Sequence, residues 1–221
     1  MFIKIELGYP QNLEKLAGHV SQPKLPLAFH QFLFILDHPD QPSPSAIDDC
    51  PQFQGEIKVY HSAVASFYAP SDCCGVGGMC CEQIRSTPSF HGHPCHNTVL
   101  IILDDTKPSM EGREIGQVLF FSFSYHCKSY SCVLINWYIY DDEPDANTGM
   151  WTVQLECDQR GTPTVQAVQL ETIAYGAHLL PIYGKERVPD DFSYHNTLDS
   201  FNFFFLNHFI DHHAHEFITN Q

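Results

Sequence analysis

Positive charge is what this chain lacks most. Only four of its 221 residues are arginine (Arg85, Arg113, Arg160 and Arg187), and 11 Lys and Arg face 26 Asp and Glu, a formal net charge of -15. A chain that acidic repels phosphate backbones at long range, so nucleic-acid contact would need a local basic patch, and the sequence shows none. Long apolar runs are missing too. The longest, Phe201 to Phe209, is broken by Asn202, Asn207 and His208 and is too short to span a bilayer, so no membrane partner is expected. Met1 to Glu6 alternates charge with apolar residues and has no small-residue cleavage site, so no signal peptide is expected. Without secretion, nine cysteines, an odd count, argue against a disulfide framework and for an intracellular location, the nucleus included. Catalytic signatures are absent as well. There is no Gly-x-Ser-x-Gly elbow, and the glycine-rich stretch Asp72 to Gly78 lacks the Gly-Lys-Ser/Thr ending of a phosphate loop, so it reads as a tight turn.

What is present is enough to bury a core: 43% hydrophobic residues, with 17 Phe and 10 Tyr. Apolar spacing predicts helices over Leu13 to Val20 and Leu25 to Leu36, the second with Leu25, Phe29, Phe32, Leu33 and Leu36 on one face. Residues 38–52 hold a Pro/Ser-rich loop whose prolines forbid regular pairing. Ile57 to His61, Thr98 to Leu103, Ile115 to Tyr125 and Ser131 to Tyr140 read as strands, and Trp151 to Glu156 with Val165 to Leu170 as a hairpin. Ser62 to Tyr68 fits a strand or a helical turn. Glu82 to Arg85 fits a short helix, Thr172 to Leu180 is ambiguous, with Ile173, Ala177 and Leu180 fitting a helical turn, and a last helix is expected over Asp199 to Phe217. The pattern defines an α+β fold: a small, largely antiparallel barrel-like sheet, short N-terminal helices and one C-terminal helix. Its segments are a helical piece (1–37), a linker (38–52) and a β-rich domain (53–221). Trp137, Trp151, Phe120 and Leu134 are expected in one core.

Cysteine and histidine are clustered. Cys73, Cys74, Cys80, Cys81, His91, His93, Cys95 and His96 offer soft ligands within a short stretch, enough for zinc. They contain no Cys-x-x-Cys, however, and adjacent side chains diverge on a strand. On a C-terminal helix His208, His212 and His215 would share a face with Glu216, a possible divalent-metal face; the simpler reading is a polar helix end. Asp141, Asp142, Glu143 and Asp145 suit a solvated hairpin end better than a two-metal site. Trp137 and Trp151, with Tyr138 and Tyr140, fit a core or a cation–π surface for a modified tail peptide.

Several stretches resemble a domain found toward the C-terminal end of transposon-borne proteins of mushroom-forming fungi, of the Plavaka or Kyakuja-Dileera-Zisupton transposase type. They are Phe53-x-Gly55-x-Ile57-x-Val59-Tyr60-His61-Ser62-Ala63-Val64-Ala65, Phe67-Tyr68-Ala69-Pro70-Ser71-Asp72, Gly77-Gly78-Met79, and Ile84-Arg85-Ser86-Thr87-Pro88-Ser89. Asp142-Glu143-Pro144-Asp145, Thr148-Gly149-Met150-Trp151, Ala177-His178-Leu179-Leu180-Pro181 and Asp211-His212-His213-Ala214-His215-Glu216 continue the likeness, which runs from about Leu16 to the end. Arginines of that family are replaced here by His30-Gln31, Cys80-Cys81, residues among His91, His93, Cys95 and His96, and His208. Each replacement is a single C-to-T change, the pattern of a decaying methylated repeat. The resemblance implies a non-catalytic accessory domain or decayed fragment, with an ancestral role in DNA, chromatin or protein contact. The alternative from the residues themselves is a zinc-stabilised Cys/His module or metal-dependent enzyme.

Overall fold

The computed structural model describes residues 6, 8–53, 55–70, 76–185, 187–188, 190 and 192–219. Helix α1 (Leu13–His19) starts where the Asn12 side chain accepts the Lys15 N–H at 3.1 Å, and α2 (Leu25–Asp37) starts with Pro26 in its first turn. The linker holds one 3-10 turn, Ile47–Asp49, and is tied to α2 by the Gln31 amide donating to the Pro44 carbonyl at 2.8 Å. Twelve strands follow: β1 (Ile57–Tyr60), β2 (Ser62–Tyr68), β3 (Met79–Phe90), β4 (His93–His96), β5 (Thr98–Ile102), β6 (Arg113–Tyr125), β7 (Lys128–Tyr140), β8 (Trp151–Leu155), β9 (Val165–Gln169), β10 (Ile173–Gly176), β11 (Leu179–Pro181) and β12 (Phe203–Leu206). Helices α3 (Thr197–Ser200) and α4 (His212–Thr219) flank β12. Every strand pairing given for the described residues is antiparallel, and among those residues no helix is long and apolar enough to cross a membrane.

The fold is α+β, with a curled, half-barrel sheet in the order β10-β5-β6-β7-β8-β12-β11. β6 and β7 form its long central hairpin, Ile115↔Tyr138 through Tyr125↔Lys128. Each outer edge of that hairpin is shared by two shorter strands. β5 pairs with the first part of β6 (Arg113 to Gln117) and β1 with the last (Phe120 to Phe123). β9 takes Cys132 to Asn136 of β7, and β8 takes Tyr138 to Tyr140. Period-two alternation sorts the faces. Phe121, Phe123, Cys132 and Leu134, with Ile57 and Val59, receive α1 and α2, whose Phe29 is fully buried. Farther along the same face Ile115, Tyr138, Val153, Phe204 and Leu206 receive Ala214 and Ile218 of α4. The opposite face, with Val118, Val133, Ile135 and Trp137, packs under Ala63 and Ile84 of a second sheet, β2-β3-β4.

Four expectations need correction, and two stretches left open resolve. Glu82 to Arg85 is not helical but lies inside β3, held by pairing with Ser62 to Ala65 of β2. Thr172 to Leu180 forms β10 and β11 after a 3-10 turn at Leu170–Thr172. The last helix is interrupted: Phe203 to Leu206 is a run of β-favouring side chains that bridges β8 and β11, leaving only short α3 and α4 as helix. β8 and β9 meet only at their tip, through the Cys157–Pro163 bridge, because both pair with β7 instead. Ser62 to Tyr68 is a strand. Leu134, Trp137 and Trp151 belong to three packing groups rather than one; the Phe120 side chain lies outside the described residues.

The two-residue turn of the central hairpin is His126-Cys127, with φ of 47° and 62°. Positive φ at both positions suits the strand twist but strains residues that carry a Cβ. Replacing exposed Cys127 by glycine should therefore raise the unfolding free energy by about 0.5–1 kcal/mol in urea titration; a loss of stability would show that the turn is unstrained.

Candidate functional site

The first ligand cluster is spread along β3 and β4. Cys73 and Cys74 lie outside the described residues. Cys80 and exposed Cys81 are neighbours on β3 and point to opposite sides, Cys81 with its sulfur 3.3 Å from the Ser66 hydroxyl. His91 is exposed in the β3–β4 turn at φ 52°, edge-on to Phe90. His93 stacks flat on His195 at 3.8 Å between ring centroids, and Cys95 faces Thr87 across the ladder. The described cysteines are free thiols, and among the described residues no three His, Cys, Asp or Glu side chains come together as a metal site.

At the C-terminus His208 precedes α4 rather than belonging to it, so the helical face of His208, His212 and His215 does not form as spaced. The chain turn after Leu206 still brings the His208 ring within 5.3 Å of His215, while His212 and Glu216 remain exposed. Asp211 caps α4 by accepting the Ala214 N–H at 2.7 Å. His208 is 3% exposed and its Nδ1 has no hydrogen-bond partner; His30, 6% exposed on α2, has the same deficit. In the acidic turn the Asp145 carboxylate accepts the Asn147 and Thr148 N–H groups and the Thr148 hydroxyl, which hold its pKa below the usual range, led by the hydroxyl. Its Oδ1 is thus engaged in a local turn. Trp137 is core, donating its indole N–H to Gln166 at 3.1 Å, and Trp151 packs edge-on to Tyr140.

The described residues that do converge form a group the sequence reading did not assemble, although it named His96 among the soft ligands. β1 and β5 leave a gap along β6 near Val118, and β3 crosses there, anchored by Ser86 N–H to the His61 carbonyl at 2.9 Å and by Asn97 N–H to the Arg85 carbonyl at 2.8 Å. One side of β3 faces the large sheet throughout. Ile84 joins the core of one face, while Ser86 and Pro88 border a half-open cavity of about 290 Å³ on the other. The cavity floor is two cross-strand pairs, Gln117↔Asn136 and Leu119↔Leu134. Tyr9 and the α1 end, His19 to Gln22, form one wall; Ser86, Pro88, Pro94 and His96 form the other.

Its polar groups are knit together. The Ser86 hydroxyl, on a residue 1% exposed, contacts His96 Nδ1 at 2.9 Å, and the Gln117 amide donates to the His96 carbonyl at 3.4 Å. Tyr9 Oη lies 3.0 Å from His61 Nε2, whose other ring nitrogen is 3.3 Å from the Thr87 hydroxyl. Burial is the leading cause that lowers the His96 pKa and raises that of Tyr9, with Glu6 adding to the latter. Asn136 Oδ1 is buried without a partner. No Lys, Arg, Asp or Glu is among the described residues that line the cavity. A serine this buried, hydrogen-bonded to Nδ1, is placed to hold the imidazole rather than to attack a carbonyl. The chemistry on offer is recognition of a neutral group. One signal was legible: Gln117 and Asn136 stand at inward positions of strands otherwise apolar on that face.

No protein-family model, curated protein or solved structure matches this chain.

The buried histidines set a pH dependence. Burial is the leading cause that lowers the pKa of His30 and of His208, against Glu14 for the first and aided by His215 for the second. Below about pH 6.5 the unfolded chain takes up protons that the folded chain refuses, so stability falls with acidification; above that pH the histidines contribute no slope. Glu114, raised by burial and then by Glu156, works the other way only nearer its own range. Melting temperature should therefore drop between about pH 7.5 and pH 5.5, and less steeply in His30→Leu. An unchanged slope in that variant would show that His30 accepts a proton in the fold.

Proposed function

We propose that this chain is a non-catalytic contact domain, the decayed relative of an accessory domain in transposase-like proteins of fungi, acting in the nucleus on DNA, chromatin or a chromatin-bound protein. The observation that carries this reading is where the exchanged residues fall. Cys80, Cys81, His91, His93 and Cys95 all lie on β3, β4 or the turn between them. Arginines at the positions the resemblance assigns would set positive charge along about 30 Å of the β3–β4 hairpin, at about 3.3 Å per residue and with positions 80 and 81 on opposite sides, the scale of several phosphates. The two remaining exchanged histidines are different in kind. His30 and His208 are buried with unpartnered ring nitrogens, and Glu14 is near enough to His30 to influence its titration. A longer cationic side chain at position 30 could reach that carboxylate, so the ancestral role there is structural.

In the present chain the β3–β4 face carries Glu82 and a single arginine, Arg85, whose guanidinium rests 4.6 Å from the Phe90 ring centre. With a net charge of -15 it should bind DNA weakly or not at all. Restoring arginine at the five surface positions changes the formal charge to -15 + 5 = -10, with neutral histidine as reference. The restored chain should bind duplex DNA with an affinity that falls with salt at a log–log slope of about -0.9 per phosphate neutralised. Fluorescence anisotropy of both proteins at matched salt checks this. Equal affinities would remove DNA from the reading and leave protein contact.

A further inference from the structure

We propose that the cavity between α1 and the β3–β4 arm binds a neutral, planar nitrogen heterocycle of the nucleobase class, as a free base or nucleoside. The inference concerns a different surface from the β3–β4 charge face and stands without it.

Three features of the cavity choose this ligand. The first is charge. Its described lining holds no Lys, Arg, Asp or Glu, in a chain of net charge -15. On that lining a phosphate would find no Lys or Arg, and an ammonium no carboxylate. The second is shape and surface. Pro88 and Pro94 line one wall and the Tyr9 and His19 rings the other, over a floor formed in part by Leu119 and Leu134. Tyr9 is held by edge contacts with His19 at 5.0 Å and His61 at 5.5 Å. Unstacked bases are taken up on such ring surfaces. A volume of about 290 Å³ is at the small end for ligand cavities, suited to one ring system with a sugar and not to a dinucleotide.

The third feature is the hydrogen-bonding edge. Gln117 and Asn136 are direct cross-strand partners, so their carboxamides stand side by side on the floor. Each carries a donor and an acceptor. The Gln117 NH2 is committed only to a long contact with the His96 carbonyl, at 3.4 Å, and Asn136 Oδ1 has no partner at all. A base presents donor next to acceptor on one edge, which is what a carboxamide pairs with in both directions. The unpaired Asn136 oxygen also destabilises the empty protein, because a buried acceptor without a donor forfeits its hydration. A ligand N–H that meets this oxygen once the Asn136 carboxamide turns into the cavity would remove that deficit.

This makes the test two-sided. Adenosine, guanosine, cytidine and uridine are titrated at up to millimolar concentration into the full chain, followed by amide shifts in 1H–15N NMR and by calorimetry. At least one nucleoside should bind with shifts centred on Gln117 and Asn136, and its 5′-monophosphate should bind no more tightly. Asn136→Leu, similar in shape but without the polar atoms, should lower affinity by about tenfold or more while melting at the same or a higher temperature. Gln117→Met should weaken binding in the same direction and provides the readout should the first variant fail to fold. Failure of all four nucleosides to shift these residues, unchanged affinity in both variants, or tighter binding of the monophosphate would overturn the proposal.

Discussion

The antiparallel ladder between β6 and β7 is the constraint on which the other elements depend. It runs from Ile115↔Tyr138 to the His126-Cys127 turn, and its two faces carry different loads. Phe121, Phe123 and Leu134 seat the N-terminal helices, and Val118, Val133 and Ile135 seat the second sheet. Gly116 shows how closely the ladder is packed: an added Cβ would fall 2.1 Å from a methyl of Ile135 and 3.2 Å from Ile101. The two strands are longer than any partner, so each outer edge takes two short strands instead of one.

That sharing creates the one seam in the sheet that matters for recognition. Where β1 stops and β5 begins along β6, backbone groups must find other partners, and the chain supplies them from Asn97, whose carbonyl accepts the Val118 N–H at 3.3 Å. The β3–β4 arm fills the opening from outside and α1 from within, without closing it. The cavity is thus a by-product of strand lengths, and its polar floor follows from placing Gln117 and Asn136 where neither helix pair nor α4 covers the face.

Much of the fold was legible because it obeys single periods. Leu13, Leu16 and Ala17, then Leu25, Phe29, Phe32 and Leu33, follow helical spacing, and both helices form where that spacing runs. The apolar and β-branched runs of β5, β6 and β7 sit at the centre of the large sheet. β3 was misread because Cys80 to Arg85 carries a single buried apolar residue, Ile84, and so shows no period-two alternation; pairing with β2 holds the rest. The C-terminal reading failed at Phe203 to Leu206, where tertiary pairing with β8 and β11 outweighed a plausible helical period. Of the cavity, only the inward amides Gln117 and Asn136 left a trace in the sequence. Tyr9, Ser86 and His96 meet through chain crossings that no local pattern encodes.

The two terminal strands of the large sheet carry a further consequence. β11 has three residues and ends in Pro181, which offers no N–H; β10 has four, with a register break between Ile173 and Tyr175, and its Gly176 N–H is taken by the Glu82 carboxylate at 2.7 Å. Neither presents a long, regular row of free backbone groups to another copy. The two ends of the large sheet are thereby shielded from edge-to-edge growth, the first step of amyloid-like assembly, by brevity, a bulge and one proline.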